Sequence, residues 1–251
     1  MTAHASTLTD ALLRPADLRV YLLGLIDFDA CLSLQHRLLY EAGESQTARA
    51  SLVVCEHPPL ITVGRSGSRS HLLGDISELK ARQIDVRWVN RGGGCWVHVP
   101  GQLAVYPIVP LQSCGFGVGQ YVERLERALV DVAAEFRISA ATRQGGCGLW
   151  SRQGQLASIG VAVRRWTTYY GFQINVCPRL EAFRLVRGWP AGDRASSFSA
   201  ERQRLVNPAS VREAVVRKLA EHLGFSGYHL HTSHPTLKPV RRPHVYAGRA
   251  Q

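Results

Sequence analysis

Residues 90–108 read Asn-Arg-Gly-Gly-Gly-Cys-Trp-Val-His-Val-Pro-Gly-Gln-Leu-Ala-Val-Tyr-Pro-Ile, and three consecutive glycines stand near the start of this segment. A glycine loses more backbone freedom on folding than any other residue, so a run of three is unfavourable inside an ordinary strand or helix. Glycines are used where the backbone bends tightly or where a ligand approaches it closely. After them, residues 103–109 are typical of a buried strand that ends near a proline. The segment by itself is consistent with a ligand-binding loop or with a tight hairpin that binds nothing.

This segment is one of four in the chain that each follow a recognisable motif. Residues 91–108 follow RGGxxxxHxPGQLxxYPI, residues 56–65 read EHPPLITVGR, residues 154–160 read GQLASIG, and residues 164–176 read RRWTTYYGFQINV. In order and spacing these segments resemble the motifs of the octanoyltransferases, also called lipoate–protein ligase B. The family forms of the last three are EHPPxxTxGR, GKIASIG and RRWVTxHGFALNV. The resemblance covers about residues 18–225.

Hydrophobic periodicity predicts the elements that surround these motifs. Strands are expected at 18–23, 51–55, 61–64, 85–89, 103–109, 148–150, 156–163 and 169–176, and helices at 30–42, 76–82, 122–136 and 208–223. The elements do not alternate as regular strand–helix–strand units, which favours an α+β layer over a doubly wound sheet. The resemblance implies the fold of the biotin and lipoate ligases, a mixed sheet with helices packed mainly on one side.

The length and composition suit a globular protein with one main domain. The chain has 251 residues, of which 45% are hydrophobic and 20% charged. We expect a flexible N-terminus at 1–17, the octanoyltransferase-like domain at 18–225, and a basic, proline-containing, loosely packed tail at 226–251. Neither a secretion signal nor a run long enough to span a bilayer is evident, so a cytoplasmic location without membrane attachment is expected. The six cysteines have no spacing typical of a metal site, and neither a metal nor a cofactor is predicted.

The net charge of +11 is compatible with binding to nucleic acid, to a membrane surface or to an acidic protein. Eight arginines lie between residues 139 and 200, where only Glu181 and Asp193 are acidic. No motif typical of nucleic-acid binding accompanies them, so nucleic acid is not the expected partner. The resemblance offers acyl carrier protein as the octanoyl donor and lipoyl-domain proteins as acceptors, both generally acidic. The alternative is that the basic surface only keeps the protein soluble.

In the family, an octanoyl group passes from the carrier's phosphopantetheine thiol to an enzyme cysteine, and then to a lysine of a lipoyl domain. This chemistry needs an apolar slot, a thiolate, a cation beside that thiolate and backbone N–H donors for the thioester oxygen. The resemblance implies substrate-binding residues in three segments. They are Arg91, Gly92, Gly93, Gly94, Cys95, Trp96, Val97 and His98, then Ser158, Ile159 and Gly160, and finally Gly171, Phe172 and Gln173.

Two residues on which the family's chemistry depends are replaced in this chain. Gln155 stands where the family motif has lysine, and a neutral amide cannot lower the pKa of a thiol by charge. The best match to the family's catalytic cysteine is Trp189, whose indole is not a nucleophile. The sequence therefore identifies no standard nucleophile and no standard partner for one.

Other residues are candidates for these roles. Cys147 lies just upstream of Gln155, as the acyl-accepting cysteine does in some relatives, and is the weak candidate for a catalytic residue; the alternative is a small residue in a turn. Cys95 is the second thiol expected at the pocket. His98 has a side chain whose usual pKa lies near neutrality, so it could polarise a carbonyl or move a proton, unless it is a buried, hydrogen-bonded core residue. The missing positive charge could come from three arginines, namely Arg143, Arg152 and Arg164.

Three functions are consistent with these residues. The first is an octanoyltransferase-like enzyme that moves a medium-chain acyl group to a lipoyl-domain lysine by a non-standard route. The second is a catalytically inactive protein of the same fold that binds an acyl chain or a carrier domain. The third is an ATP-dependent lipoate–protein ligase, which is less favoured because residues 98–102 follow the transferase form and because ligases also use the lysine that Gln155 replaces.

Overall fold

The computed structural model describes residues 17–44, 49–81, 83–187 and 194–237. The strands within these ranges are β1 (Asp17–Leu25), β2 (Ala50–Glu56), β3 (Leu60–Val63), β4 (Asp85–Trp88), β5 (Cys95–His98), β6 (Gln102–Ile108), β7 (Gly148–Trp150), β8 (Gln155–Arg164), β9 (Thr167–Asn175) and β10 (Gly227–His231). The α-helices are α1 (Phe28–Glu44), α2 (Ile76–Ala81), α3 (Leu111–Cys114), α4 (Val118–Glu135), α5 (Phe198–Arg202) and α6 (Pro208–Leu223). Two short 3-10 helices cover Arg69–His71 and Leu180–Leu185.

The strands form two sheets. The larger has the order β10-β1-β2-β6-β9-β8-β7, in which β1 pairs in parallel with both neighbours and the other pairs are antiparallel. The smaller has the order β4-β3-β5, with β4 parallel and β5 antiparallel to β3. The glycine-rich segment connects β4 to β5, so both of its ends are held by the smaller sheet. The predicted α+β class with a mixed sheet is confirmed.

The larger sheet has an apolar core on each face because its central strands alternate between the two. In β2, Leu52 and Val54 contribute to the core under α4 and α6, whereas Val53 and Cys55 contribute to the core under α1. Two long helices therefore cover one face of this sheet, and one long helix covers the other. A separate cluster that includes Phe28 of α1 and residues of β3, β8 and β9 joins the smaller sheet to the larger.

Local sequence signals placed the helix ends well where capping residues are present. Helix α6 spans the predicted range 208–223: the Asn207 side chain accepts a hydrogen bond from Ala209 N, Pro208 opens the helix, and Gly224 ends it with a φ of 77°. Helix α4 was predicted from residue 122 but begins at Val118, because its first turn carries no apolar periodicity.

The prediction that the chain is loosely packed beyond residue 225 was wrong for its first part. Residues Gly227–His231 form β10, which extends the larger sheet by pairing in parallel with Asp17–Tyr21 of β1. Most of this strand is exposed, so its sequence lacks the alternation of a half-buried strand. Its hydrogen-bonding partner lies about two hundred residues earlier, a relation that the local sequence does not reveal. Residues 1–16 and 238–251 lie outside the described ranges.

Candidate functional site

The glycine-rich segment is wrapped around the guanidinium group of Arg91. Arg91 Nη1 donates to the carbonyl oxygens of Gly92 (2.9 Å) and Gly94 (3.1 Å), and Nη2 donates to Thr62 O (2.9 Å) and Thr62 Oγ1 (2.6 Å). The backbone N–H groups of residues 64, 65 and 66 donate to the carbonyls of residues 94, 91 and 93. All four carbonyls from residue 91 to residue 94 are thus hydrogen-bonded within the protein, which fixes the path of this loop.

Arg91 is buried although the described residues place no carboxylate against it. Its guanidinium carbon lies 3.5 Å from the centre of the Trp96 ring, a cation–π contact, and only 2% of the residue is exposed. Burial lowers the pKa of Arg91 to about 9. The side chain therefore holds the loop from the interior and is not among the residues that line the cavities.

The loop packs directly on β8. Gly92 N donates to Val161 O at 3.0 Å, and a side chain at Gly160 would place its Cβ 2.5 Å from Gly92 O and 2.8 Å from the Trp96 ring. Real Cβ atoms do not come that close to backbone oxygens, so only glycine fits at position 160 in this arrangement. The GQLASIG segment and the glycine-rich loop are hence parts of one surface.

This surface lines the larger of two adjoining cavities, which we call the main cavity. Its volume is about 270 Å³. The lining residues come from the turn after β3, the glycine loop and the start of β5, helix α4, the turn before β7, and β8 itself. They are Arg65, Ser66, Gly92, Gly93, Trp96, Val122, Gly145, Cys147, Gln155, Ser158, Ile159, Gly160 and Val161.

A smaller cavity of about 60 Å³ shares Trp96, Gln155 and Ser158 with the main cavity. The remaining lining residues are Cys95, Val97, Gln102, Gln173, Asn175, Phe183, Val186 and Ala195. The two cavities therefore adjoin at these three shared residues.

The predicted binding residues fall into two groups. Those that line one or both cavities are Gly92, Gly93, Cys95, Trp96, Val97, Ser158, Ile159, Gly160 and Gln173. Those that are not among the lining residues are Arg91, Gly94, His98, Gly171 and Phe172. Phe172 belongs to the core under α4 and α6, and a Cβ at Gly171 would lie 2.2 Å from Val105 O, so these two residues serve the packing of β9.

His98 lies in the interior, one layer behind the cavities. Its Nε2 is 3.0 Å from Thr62 Oγ1, and Gln173 Nε2 lies 2.8 Å from its Nδ1. Burial, followed by the nearby His57 and Arg91, lowers the pKa of His98 well below its usual value. The imidazole is therefore neutral at physiological pH, and the alternative of a buried, hydrogen-bonded core histidine describes its surroundings.

Cys147 is the exposed cysteine of the described chain and opens into the main cavity. Although the residue is exposed, neighbouring protein atoms partly shield its thiol from water. This partial burial raises the pKa of the thiol, and the charge of Glu126 on α4 raises it further. Glu126 also accepts a hydrogen bond from Gly148 N at 3.3 Å, which holds the carboxylate beside this turn. The positive charge that Arg143, Arg152 or Arg164 could supply does not lower the pKa of Cys147, since burial and Glu126 raise it.

Gln155 lies beside the segment that would carry the family's cysteine. Gln155 N donates to Arg194 O (2.7 Å), and Ser196 N donates back to Gln155 O (2.9 Å). Val186 and Ala195, which flank the segment 188–193, both line the smaller cavity. Trp189, the counterpart of the family cysteine, lies outside the described residues.

Several lining residues were not predicted. Arg65 and Ser66 follow β3 and reach the main cavity because the carbonyls of the glycine loop hold their backbone. Gln102 and Asn175 face each other across β6 and β9, where the amide of Gln102 donates to Asn175 Oδ1 at 2.8 Å. Arg65, Gln102 and Asn175 belong to quoted motifs and Ser66 directly follows one, so the available signal was a polar residue at a buried strand position or shortly after a strand.

Within the described ranges, no helix combines the length and apolar character needed to cross a membrane. One group of side chains there could hold a metal ion, Cys31, Cys55 and His57. It lies on the α1 side of the larger sheet, apart from both cavities.

Comparison with known proteins gives consistent matches. Residues 27–224 match the family described as the lipoyl protein ligase A/B catalytic domain. An octanoyltransferase of Geotalea uraniireducens is 41% identical over 180 residues, which make up 71% of this chain and 80% of that protein. An octanoyltransferase of Geobacter metallireducens is 39% identical over 196 residues, 77% of this chain and 87% of that protein.

Solved structures give the fold. A bi-partite lipoate protein ligase from Thermoplasma acidophilum superposes with a TM-score of 0.66 at 15% identity, covering 88% of each chain. Lipoate-protein ligase A bound with ATP superposes with a TM-score of 0.65 at 14% identity, covering 88% of this chain and 90% of that one.

Proposed function

The chain belongs to the octanoyltransferases of the lipoyl protein ligase A/B catalytic-domain family, and from this premise we propose that it holds a medium-chain acyl group in the main cavity and transfers it. The donor is acyl carrier protein and the acceptor is a lysine of a lipoyl domain, as in lipoate biosynthesis. Cys147 is the residue that accepts the acyl group between the two. A cytoplasmic location stays a prediction.

One observation carries the proposal: a single cavity brings together the glycine loop, Gly160 and the Cys147 thiol. Its volume of about 270 Å³ is close to the lower limit of ordinary small-molecule pockets, about 300 Å³. That size suits one flexible chain better than a nucleotide. Each buried methylene of the chain contributes about 0.8 kcal/mol to binding.

The transfer proceeds in two steps, an exchange of one thioester for another and then attack of an amine on the second thioester. The Cys147 sulfur attacks the thioester carbonyl, a new sulfur–carbon bond forms, the carrier's sulfur–carbon bond breaks, and the carrier thiol takes up the proton that Cys147 gives up. The lysine amine then attacks the acyl-cysteine, and the amide forms as the Cys147 thiol is regenerated. Neither step needs a cofactor or a metal ion.

Charge supports the choice of partners. The chain carries a net charge of +11, and the exposed Arg65 lines the main cavity. An acidic carrier domain would be attracted over a distance by this field, and such attraction weakens as the salt concentration rises. Arg143, close in sequence to Cys147, and Arg152, close to Gln155, are exposed as well.

A second function, binding of an acyl chain without transfer, is favoured by a specific observation. The pKa of the Cys147 thiol is raised, and Gln155 stands in place of the family's lysine. A thiol with a raised pKa has little thiolate at neutral pH, so the acyl-cysteine would form slowly. The cavity would then serve to hold the acyl chain of a carrier domain.

The two functions are separated by mixing the protein with octanoyl-acyl carrier protein and measuring its intact mass. For transfer we expect an octanoyl adduct that is lost in Cys147→Ala and kept in Cys177→Ala, a control at another partly exposed cysteine. Adding a lipoyl domain should then discharge the adduct.

Three other results would overturn transfer through Cys147. Saturable carrier binding without an adduct would support the second function. An adduct that survives Cys147→Ala would place the acyl group on another residue. Octanoylation or lipoylation that requires ATP and a free acid would identify a ligase instead.

A further inference from the structure

A compact group of sulfur and nitrogen donors lies in the interior, on the side of the larger sheet that faces α1. Cys31 comes from the first turn of α1, Cys55 lies near the end of β2, and His57 follows that strand. All three are buried, with at most 2% exposure. The acyl-transfer proposal uses none of them, and none lines the cavities of the candidate site.

The distances between these donors are those of a shared coordination sphere. Cys31 Sγ lies 3.8 Å from Cys55 Sγ, and Cys55 Sγ lies 3.6 Å from His57 Nε2. The three donor atoms all lie within 4.8 Å of one another. A tetrahedral zinc ion with Zn–S bonds of about 2.3 Å and a Zn–N bond of about 2.0 Å has S···S and S···N edges of about 3.8 and 3.5 Å. Two of the three edges therefore already match a zinc site.

The orientation of His57 leaves the required nitrogen available. His57 Nδ1 lies 2.8 Å from the carbonyl oxygen of Ile26, which can only accept a hydrogen bond, so Nδ1 carries the proton. Nε2 then carries the electron pair, which accepts a hydrogen bond from the Tyr106 hydroxyl at 2.9 Å and lies 3.6 Å from Cys55 Sγ. A metal-bound histidine is usually held in this way, with its second nitrogen donating to a carbonyl or a carboxylate.

A fourth donor is within reach. The Tyr106 hydroxyl oxygen lies 2.9 Å from His57 Nε2, on the same face of the larger sheet. Oxygen is an accepted zinc ligand, and structural zinc sites are almost always four-coordinate. When the metal takes the electron pair of Nε2, the hydroxyl hydrogen rotates away from that nitrogen about the C–O bond, and the neutral phenol presents an oxygen lone pair to the metal.

Charge balance suits an apolar interior. Binding of Zn²⁺ to Cys31 and Cys55 releases two thiol protons to solvent and leaves two thiolates, so the ion and its sulfur ligands are together neutral. A neutral group avoids the cost of an isolated buried charge. The surrounding core consists mainly of apolar residues of α1, β1, β2 and β6, and the buried Gln35 amide donates to Cys31 Sγ at 3.9 Å.

We propose that Cys31, Cys55 and His57, with the Tyr106 hydroxyl as fourth donor, form a structural zinc site that ties α1 to β2. The site acts on the fold rather than on the acyl group. The site also lies close to β5, the strand that follows the glycine loop, because the rings of His57 and of His98 in β5 lie 5.5 Å apart. The cysteine spacing in the sequence did not indicate this site, because Cys31 and Cys55 belong to two elements that come together only in the tertiary structure.

The test is elemental analysis of the full-length, untagged chain, refolded with Zn²⁺ and passed over a desalting column. We expect about one zinc per chain, lost in Cys55→Ala and kept in Cys114→Ala, a control at a buried cysteine of the other core. The exposed His229 and His231 and the half-buried His234 could bind zinc near the surface, so a variant with all three changed to glutamine is included. It should keep its metal.

Cobalt provides a second readout that does not depend on the variants folding. Co²⁺ added to the refolding wild-type chain should give the thiolate-to-metal absorption and the intense visible bands of a tetrahedral site, and chelation should lower the melting temperature. The site is disproved if refolded wild-type protein holds no metal, or if Cys55→Ala keeps it. It is equally disproved if the mass and the thiol count show that Cys31 and Cys55 form a disulfide under reducing conditions.

Discussion

The main cavity has two walls that differ in how they are held. The wall made by residues 90–98 has its carbonyls hydrogen-bonded to Arg91 and to the turn at 64–66, and it is closely packed on Gly160. The wall made by residues 145–155 presents an exposed cysteine beside a carboxylate that disfavours its ionisation. One wall is fixed by hydrogen bonds within the protein, and the other carries the thiol that we propose as the acyl acceptor, with its pKa raised.

This difference indicates that binding and reactivity have separate physical origins in the site. Binding depends on backbone geometry, which glycines and a buried arginine maintain at a cost in entropy and desolvation. Reactivity depends on the charge near one thiol, which a single residue can change without disturbing the fold. Gln155, which stands in place of the family's lysine, lines both cavities but does not hold the carbonyls of the glycine loop, so this replacement leaves the hydrogen bonds of that loop in place.

The largest effect is expected from removing the centre of the hydrogen-bonded wall. Arg91→Met removes the donor that Arg91 supplies to the carbonyl oxygens of Thr62 and Gly92, whereas Gly94 O keeps the N–H of Gly64. Each orphaned buried acceptor costs about 1–3 kcal/mol, so after relief of the buried charge we expect the free energy of unfolding to fall by about 3 kcal/mol. Urea denaturation followed by circular dichroism measures this change.

Arg91→Lys is the matched control, because it keeps the charge but not the planar fork of donors. We expect the free energy of unfolding of Arg91→Lys to lie between those of the wild type and Arg91→Met. If the methionine variant were as stable as the wild type, the loop would not depend on these hydrogen bonds.

A smaller effect is expected where β8 meets the hydrogen-bonded wall. Gly160→Ala would place a methyl group 2.5 Å from Gly92 O, so the loop or Trp96 must move towards the main cavity. We expect a loss of about 2 kcal/mol in the free energy of unfolding. Octanoyl-carrier binding, measured by titration calorimetry, should weaken as well.

Gly43→Ala provides the control for that substitution. No atom lies within 4 Å of a Cβ at Gly43, which is in helix α1. Alanine there should stabilise the protein by about 0.5–1 kcal/mol and leave carrier binding unchanged. Equal effects of the two substitutions would contradict the close packing of the loop on β8.

The smallest effect concerns the wall that bears Cys147. Glu126→Gln removes the negative charge that raises the pKa of the thiol, so this pKa should fall and more thiolate should be present at pH 8. We expect alkylation of Cys147 by iodoacetamide to be about threefold faster at pH 8, with the pH profile moved to lower pH. Mass spectrometry of the labelled peptide follows the reaction.

Glu123→Gln changes an exposed carboxylate on the same helix that pairs with Arg127, and should leave the alkylation rate unchanged. A slower reaction in Glu126→Gln would mean that the carboxylate takes up the thiol proton and assists the reaction. In that case the wall made by residues 145–155 would favour the reaction of the Cys147 thiol.

The sequence predicted the main elements because each is marked by local features. Helix α6 carries its own caps, and the buried strands β2 and β6 read as apolar runs. The strand β10 was missed because its stability comes from pairing with β1, and not from its own residues. A short exposed strand has no periodicity that distinguishes it from a loop.

The candidate site was predicted in part for a similar reason. Gly92, Gly93 and Gly160 line the main cavity as the motifs imply, and so does Cys147. Arg91 and His98 belong to the same motif, but their side chains turn into the interior. A motif shows that a residue is needed; it does not show on which side of the backbone the side chain lies.

The sequence by itself determined the family, the α+β class and the segments that surround the cavity, because motif order and hydrophobic periodicity are properties of neighbouring residues. Only the tertiary structure decided that Glu126 opposes Cys147, that Arg91 holds the loop from behind, and that Cys31, Cys55 and His57 gather in one place. These relations join residues from different elements, and their charges and contacts exist only after packing has brought those elements together.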